Sequence, residues 1–303
     1  MKQPIKWIWF LVFTIFIVSF SNIVYAANVN IKANDLRVRN GPGLDYEVIG
    51  EVNEGETYTY IDEKQEWIEI EYSNGTGWVA KEFIEIEKRN NQNSEQNEKN
   101  TSESEEIVLT DKAESEILTT NLKQKVIVID AGHGGRDIGA TGRSDLYEKD
   151  YTLETAHNIK NYLEQLGAIV HLTRSDDRFI SLTPRSSYAN FKEADVFLSI
   201  HYNSTPQYPS ANGIGTYYYD DKDKLLATYV HEGLIESTGS DDRAAQFGDF
   251  QVLRTNHTPS LLLELGFISN ASEEERIQTN TYQQKLSRGI IAGLQRYFFH
   301  SSN

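Results

Sequence analysis

The sequence predicts two folded units: an open, doubly wound α/β sheet with helices on both faces, preceded by a small all-β barrel. Three observations carry this prediction. From Lys125 onward, short apolar runs alternate with amphipathic helical patterns, as expected for strands and helices layered about one sheet. From Asn28 to about Ile86, short alternating segments are broken by turn residues. Between the two, residues 88–124 are dominated by Asn, Gln, Ser, Glu and Lys, with too little apolar surface to offset ordering entropy, and read as a flexible linker.

At 303 residues the chain has room for both units, and 39% hydrophobic residues are enough to build their cores. A net charge of −16 argues against a nucleic-acid partner, which requires Lys and Arg to neutralise phosphates. It is equally unsuited to anionic lipid, so no stable membrane partner is expected beyond the N-terminal segment. A monomer is expected. The absence of cysteine excludes disulfides, thiolate nucleophiles and Cys-type zinc sites, so any metal must sit on His, Asp or Glu.

The elements follow in order. Lys2 and Lys6 precede an apolar run from Trp7 to Phe20, and Val24-Tyr25-Ala26 supplies small residues at its end. The run is shorter than the ~20 residues of a bilayer span, so residues 1–26 read as a secretory signal peptide, with an uncleaved anchor as the alternative. Either way the remainder is placed outside the cytoplasm. In residues 28–87, Leu36 and Val38 run into Asn40-Gly41-Pro42-Gly43, and Trp67, Ile68 and Ile70 alternate with charged residues before Gly75 to Val79. These stretches resemble a bacterial SH3-like (SH3b) domain, which implies cell-wall targeting; Trp67 and Trp78 serve equally well as core residues.

In residues 125–299, Val126–Ile129 is a continuous apolar run, suited to a strand buried on both faces. A helix is expected from Tyr151 to Leu166, a strand at Ala168–Leu172, a helix from Pro184 to Ala194 and a strand at Val196–Ile200. Thr216–Tyr219 reads as a strand and Leu225–Glu236 as a helix. Gln251–Leu253 and Leu261–Leu263 are expected as strands, and Tyr282–Phe298 as a closing helix.

Open α/β sheets bind ligands beyond the carboxyl ends of their strands. Three expected strand ends carry His133 in Asp130-Ala131-Gly132-His133-Gly134-Gly135, His201 in His201-Tyr202-Asn203, and Glu264 in Glu264-Leu265-Gly266. Glu148 lies beside the start of the first helix, within reach of the same edge. Two histidines and a carboxylate make a catalytic zinc set with one open position. Zinc lowers the pKa of a water it binds from roughly 15.7 to about 7, and a further carboxylate must then handle the proton. The glycines do not complete a dinucleotide fingerprint, because Asp137 stands at the third position, and no P-loop is present.

The same stretches, with Glu148-Lys149-Asp150 and Leu262 to Asn270, resemble the zinc-dependent N-acetylmuramoyl-L-alanine amidases of the amidase-3 family from Lys125 to Phe298. That resemblance implies one Zn²⁺ held by His133, Glu148 and His201, with Glu264 as general base. It also implies peptidoglycan as the partner, cleaved between N-acetylmuramic acid and L-alanine. Tyr202 departs from the small residue usual after the histidine and is expected to narrow the cleft or touch substrate. The interval from His201 to Thr216 is too short for the inhibitory helix some relatives insert, so an open site is expected. Arg254, at the end of its expected strand, binds a substrate carboxylate or forms an ion pair. Asp130 orients His133 or caps the loop. Two competing readings are a metal-independent glycosidase using Glu148 and Glu264, and a non-catalytic wall-binding protein.

Overall fold

The computed structural model describes residues 27–73, 75–87 and 122–301. The expected signal segment and nearly all of the expected linker lie outside the described residues. Among the described residues, no helix is long and apolar enough to cross a membrane.

The first unit holds seven strands: β1 (Asn28–Ile31), β2 (Leu36–Arg39), β3 (Val48–Val52), β4 (Thr57–Lys64), β5 (Trp67–Tyr72), β6 (Gly75–Ala80) and β7 (Ile84–Glu87). They pair antiparallel in the order β3-β2-β6-β5-β4-β1-β7. The sheet curls around one core to which both of its ends contribute, with Val29, Val38, Val52, Ile68 and Val79 buried together. Each comes from the alternation of inward apolar and outward polar residues that a half-buried strand requires. Trp67 is 9% exposed, so most of its surface is buried.

The second unit begins at Leu122, which is fully buried in the larger core although it falls within the segment expected as linker. Its elements are β8 (Val126–Ala131), α1 (Glu148–Gln165), β9 (Ile169–Leu172), α2 (Leu182–Phe191), β10 (Val196–Asn203) and β11 (Ile214–Tyr218). Then come α3 (Lys224–Thr238), β12 (Asp242–Phe247), α4 (Gln251–Arg254), β13 (Ser260–Phe267), α5 (Ala271–Ile277) and α6 (Asn280–Ser301). The sheet runs β12-β11-β13-β10-β8-β9. Strands β13, β10, β8 and β9 are mutually parallel, whereas β11 runs antiparallel to β13. Apolar residues of α1, α3 and α6 cover one face and those of α2 and α4 the other, so helices flank both sides.

One local expectation differs from the structure, and two of its elements were not foreseen. Gln251–Leu253 is a helical turn, not a strand. Val252 and Leu253 are buried there, and a three-residue apolar run is equally compatible with either state. Strand β12 was not expected, because Asp-Arg-Ala-Ala-Gln-Phe lies at the sheet edge with almost every residue exposed and so shows no apolar period. Helix α5 carried a legible start: Asn270 Oδ1 accepts from the backbone N–H groups of Ser272 and Glu273 at its N-terminus.

Candidate active site

The parallel register brings the end of β8 beside the carboxyl-terminal halves of β10 and β13, which run on past His201 and Glu264 to Asn203 and Phe267. Ile200 lies opposite Ala131, and His201 opposite Glu264. Gly132 N–H donates to the Ile200 carbonyl at 3.0 Å, fastening the first loop to the middle strand. A Cβ on Gly132 would stand 2.4 Å from the His201 ring, so glycine is needed for close approach here. His133 follows in the left-handed region at φ 62°, a conformation uncommon for a side-chain-bearing residue.

Helix α1 starts at Glu148 and thrusts its carboxylate between the two imidazoles. Glu148 Oε1 lies 3.1 Å from His133 Nε2 and 3.0 Å from His201 Nδ1. The backbone N–H of Tyr202 donates to the same oxygen at 3.1 Å, and that of Ala140 to Oε2 at 3.0 Å. One donor atom from each of His133, Glu148 and His201 lies within 4.8 Å of the others, the one such group found among the described residues. Gly139, at φ +66°, packs so closely that a Cβ would sit 2.6 Å from Glu148 Oε2. Burial alone would raise the Glu148 pKa, but the two imidazoles outweigh it and hold the carboxyl well below its ordinary value. Burial would lower His133, yet Glu148 and Asp137 overcome it and raise the pKa.

Glu264 is different. Its Oε2 is buried and has no hydrogen-bond partner among the described residues. Burial, with Glu148 nearby, pushes its carboxyl up to about 7 against the opposing pull of His201 and His133. All four residues line a cleft of about 360 Å³, walled in part by Leu182, Phe250 and Gln251. Such a volume falls in the ~300–1,000 Å³ range of small-molecule sites.

The family model for N-acetylmuramoyl-L-alanine amidases matches residues 127–296, and that for the bacterial SH3 domain matches 34–85. The chain belongs to the N-acetylmuramoyl-L-alanine amidase family. Among its relatives, the probable cell wall amidase LytH of Staphylococcus epidermidis is 35% identical over 265 residues, covering 86% of this chain and 81% of the relative. The putative N-acetylmuramoyl-L-alanine amidase YrvJ of Bacillus subtilis is 35% identical over 274 residues, 90% of this chain and 50% of that one. The solved catalytic domain of the amidase CwlV from Paenibacillus polymyxa is 40% identical, with a TM-score of 0.55 over 57% of this chain and 98% of that chain. This protein is therefore a hydrolase, and its sheet and helices are those of an amidase catalytic domain.

Several side chains in this amidase sit elsewhere than sequence reasoning placed them. Asp130 does not touch the His133 ring. Its buried carboxylate accepts from Arg185 Nη1 at 2.8 Å, Thr173 Oγ1 at 2.6 Å and Ser199 Oγ at 2.9 Å. Asp137 meets His133 instead, with Oδ1 2.9 Å from Nδ1, and the contact draws its own pKa down against the opposing effect of burial. Arg185 also donates to the carbonyls of Ala131 and His133 at 2.8 and 2.7 Å. Arg174, fully buried, donates to the carbonyls of Ala131 and Gly132 at 2.9 and 2.8 Å. Two cations thus clamp the His133 loop from beneath, and each was visible in the sequence only as an isolated arginine.

Tyr202 is among the residues that line the cleft, but its side chain is packed into the core. It is 1% exposed, and its hydroxyl lies 2.7 Å from Thr155 Oγ1 under α1. Arg254 ends α4 and forms an ion pair with Asp249, whereas Phe250, Gln251 and Val252 line the cleft in its place. Residues 204–213, between β10 and β11, contain no helix. Glu148, with both oxygens engaged, is not the free acid that a two-carboxylate glycosidase needs.

Proposed function

We propose that this amidase is a zinc enzyme acting outside the membrane on peptidoglycan, where it cleaves the amide between N-acetylmuramic acid and L-alanine. The observation that carries the reading is the convergence of His133, Glu148 and His201 within 4.8 Å in a cleft shared with the orphaned carboxylate oxygen of Glu264. Two imidazoles and a carboxylate are a borderline-soft donor set that suits zinc and leaves a coordination position open. A buried carboxylate oxygen without a partner is costly unless a ligand, a proton or a reacting group meets it.

His133, Glu148 and His201 would hold the ion, which supplies Lewis acidity at the scissile carbonyl. Glu264 takes a proton from the attacking water at Oε2 and delivers it to the departing amide nitrogen. Its position near neutrality favours both transfers. Asp137 fixes the His133 tautomer by accepting from Nδ1, which leaves Nε2 facing Glu148. The SH3-type domain, at residues 34–85, holds the enzyme on the wall, and residues 1–26 direct its export.

Digestion of purified peptidoglycan tests this reading. New alanine amino termini are expected, without new reducing ends, and a chelator should stop their release until zinc is restored. Reducing ends, or indifference to the chelator, would overturn it. For Asp137→Ala, zinc affinity is expected to fall by about 10–100-fold, read by competition with a chromogenic chelator.

A further inference from the structure

The two domains meet along a polar seam that the amidase chemistry does not use. Helix α1 turns Asn158, Asn161, Tyr162 and Gln165 toward it, spaced three and four residues apart on one face. Glu66, Trp67 and Glu82 of the first domain complete the wall. The seam is fastened on both sides. Arg288 Nε donates to Glu82 Oε1 at 2.6 Å, Phe83 packs edge-on to Tyr162 at 5.9 Å, and Lys123 reaches Glu51 at 2.6 Å.

Two cavities adjoin here, of about 230 and about 220 Å³, and they share Glu66, Asn158 and Tyr162. Together they fall within the ~300–1,000 Å³ of small-molecule sites. Two buried oxygens in their walls have no hydrogen-bond partner among the described residues, Gln165 Oε1 and Gln283 Oε1, whereas the Glu82 carboxylate interacts with the Tyr162 hydroxyl as well as with Arg288. A native interior rarely leaves such acceptors unmet, and two in adjoining walls mark a missing donor.

The chemistry of the lining selects that donor. No Lys or Arg lines either cavity, and Glu66 with Glu82 repels anions. Carboxamides both donate and accept, which matches vicinal hydroxyl groups. Trp67 and Tyr162 add flat apolar surface beside polar groups, a combination that suits the face of a sugar ring. We infer that the seam between the domains is a second binding site, taking a neutral, hydroxyl-rich saccharide. It deepens the proposed function, resting on it only for the polymer that carries the sugar. Tyr162 lies 14 residues beyond Glu148, roughly 21 Å along the helix at 1.5 Å per residue, so a glycan engaged at the seam lies well away from the scissile bond.

The test is calorimetric titration of the full chain with a tetramer of N-acetylglucosamine. Saturable binding is expected, weakened about fivefold or more in Gln165→Leu and in Asn161→Ala, each of which removes hydrogen-bonding groups from the wall. Asn161 is exposed, so its substitution does not threaten the fold. Hydrolysis of a short soluble muramyl peptide should stay at the parent rate in both variants, while activity on intact peptidoglycan falls through a raised KM. Absence of saturable binding, or binding that ignores Asn161→Ala, would overturn the inference. Loss of the short-peptide activity in the unmodified protein would instead sink the amidase mechanism and leave the binding result standing.

Discussion

Replacing Glu264 by Gln is expected to lower kcat on a soluble muramyl peptide by about 10²–10⁴-fold, the range for losing a positioned acid–base group. Zinc content should not change, because Glu264 supplies none of the three converging donor atoms. That combination separates it from His133→Ala, which removes a ligand and is expected to lose metal and activity together. The fold is not at risk. Glu264 sits in the middle of the sheet, where burial already favours its neutral form, and the amide keeps the shape without the charge. The variant should therefore melt no lower than the parent. Retention of more than a tenth of parental kcat with full zinc content would remove Glu264 from the proton path.

Reading the sequence by period worked where one physical demand dominated. Val126 to Ala131 is buried on both faces, so its apolar run had a single interpretation. Helix α1 needs one apolar stripe, and Ala156, Ile159 and Leu163 provide it at helical spacing. Edge strand β12 faces no such demand, since hydrogen bonding to β11 holds it in place and its side chains face solvent. Helix α4 is one turn long, too short for any period to appear. Antiparallel placement of β11 against β13 was illegible for another reason: direction is set by how a connection closes in space, which local pattern does not record.

His133, His201 and Glu264 were legible because each comes directly after an apolar run of a strand and its polarity is conspicuous there, whereas Glu148 stood out only as a carboxylate at a helix start within reach of the same edge. Their supports were not. Asp137, Arg174 and Arg185 act on the His133 loop across 4, 42 and 52 positions of the chain, and nothing local distinguishes a clamping arginine from a solvated one. Asp130 shows the opposite error. Its closeness in sequence to His133 suggested a contact with the ring, but alternation along β8 turns its carboxylate toward Arg185 and Ser199.

That buried pair carries the largest expected effect on stability. Asp130 and Arg185 have side chains only 1% and 3% exposed, with 2.8 Å between charged atoms. Asp130→Ala leaves the guanidinium buried without its counter-charge, a loss of about 3–5 kcal/mol, or roughly 6–20 °C in Tm for a domain of this size. Removing both charges has a different consequence. Asp130→Leu combined with Arg185→Met should regain much of the loss, because two apolar side chains no longer require solvation. Recovery stays incomplete, since Thr173 and Ser199 lose the acceptor they share. Activity should not return with stability, because Arg185 also holds the carbonyls of Ala131 and His133, and the imidazole is aimed by the loop those contacts fix. Thermal melts and turnover measured on the two single variants and the double variant check this. If turnover recovers along with Tm in the double variant, the clamp is structural only, and the aim of His133 depends on Asp137 and Arg174 alone.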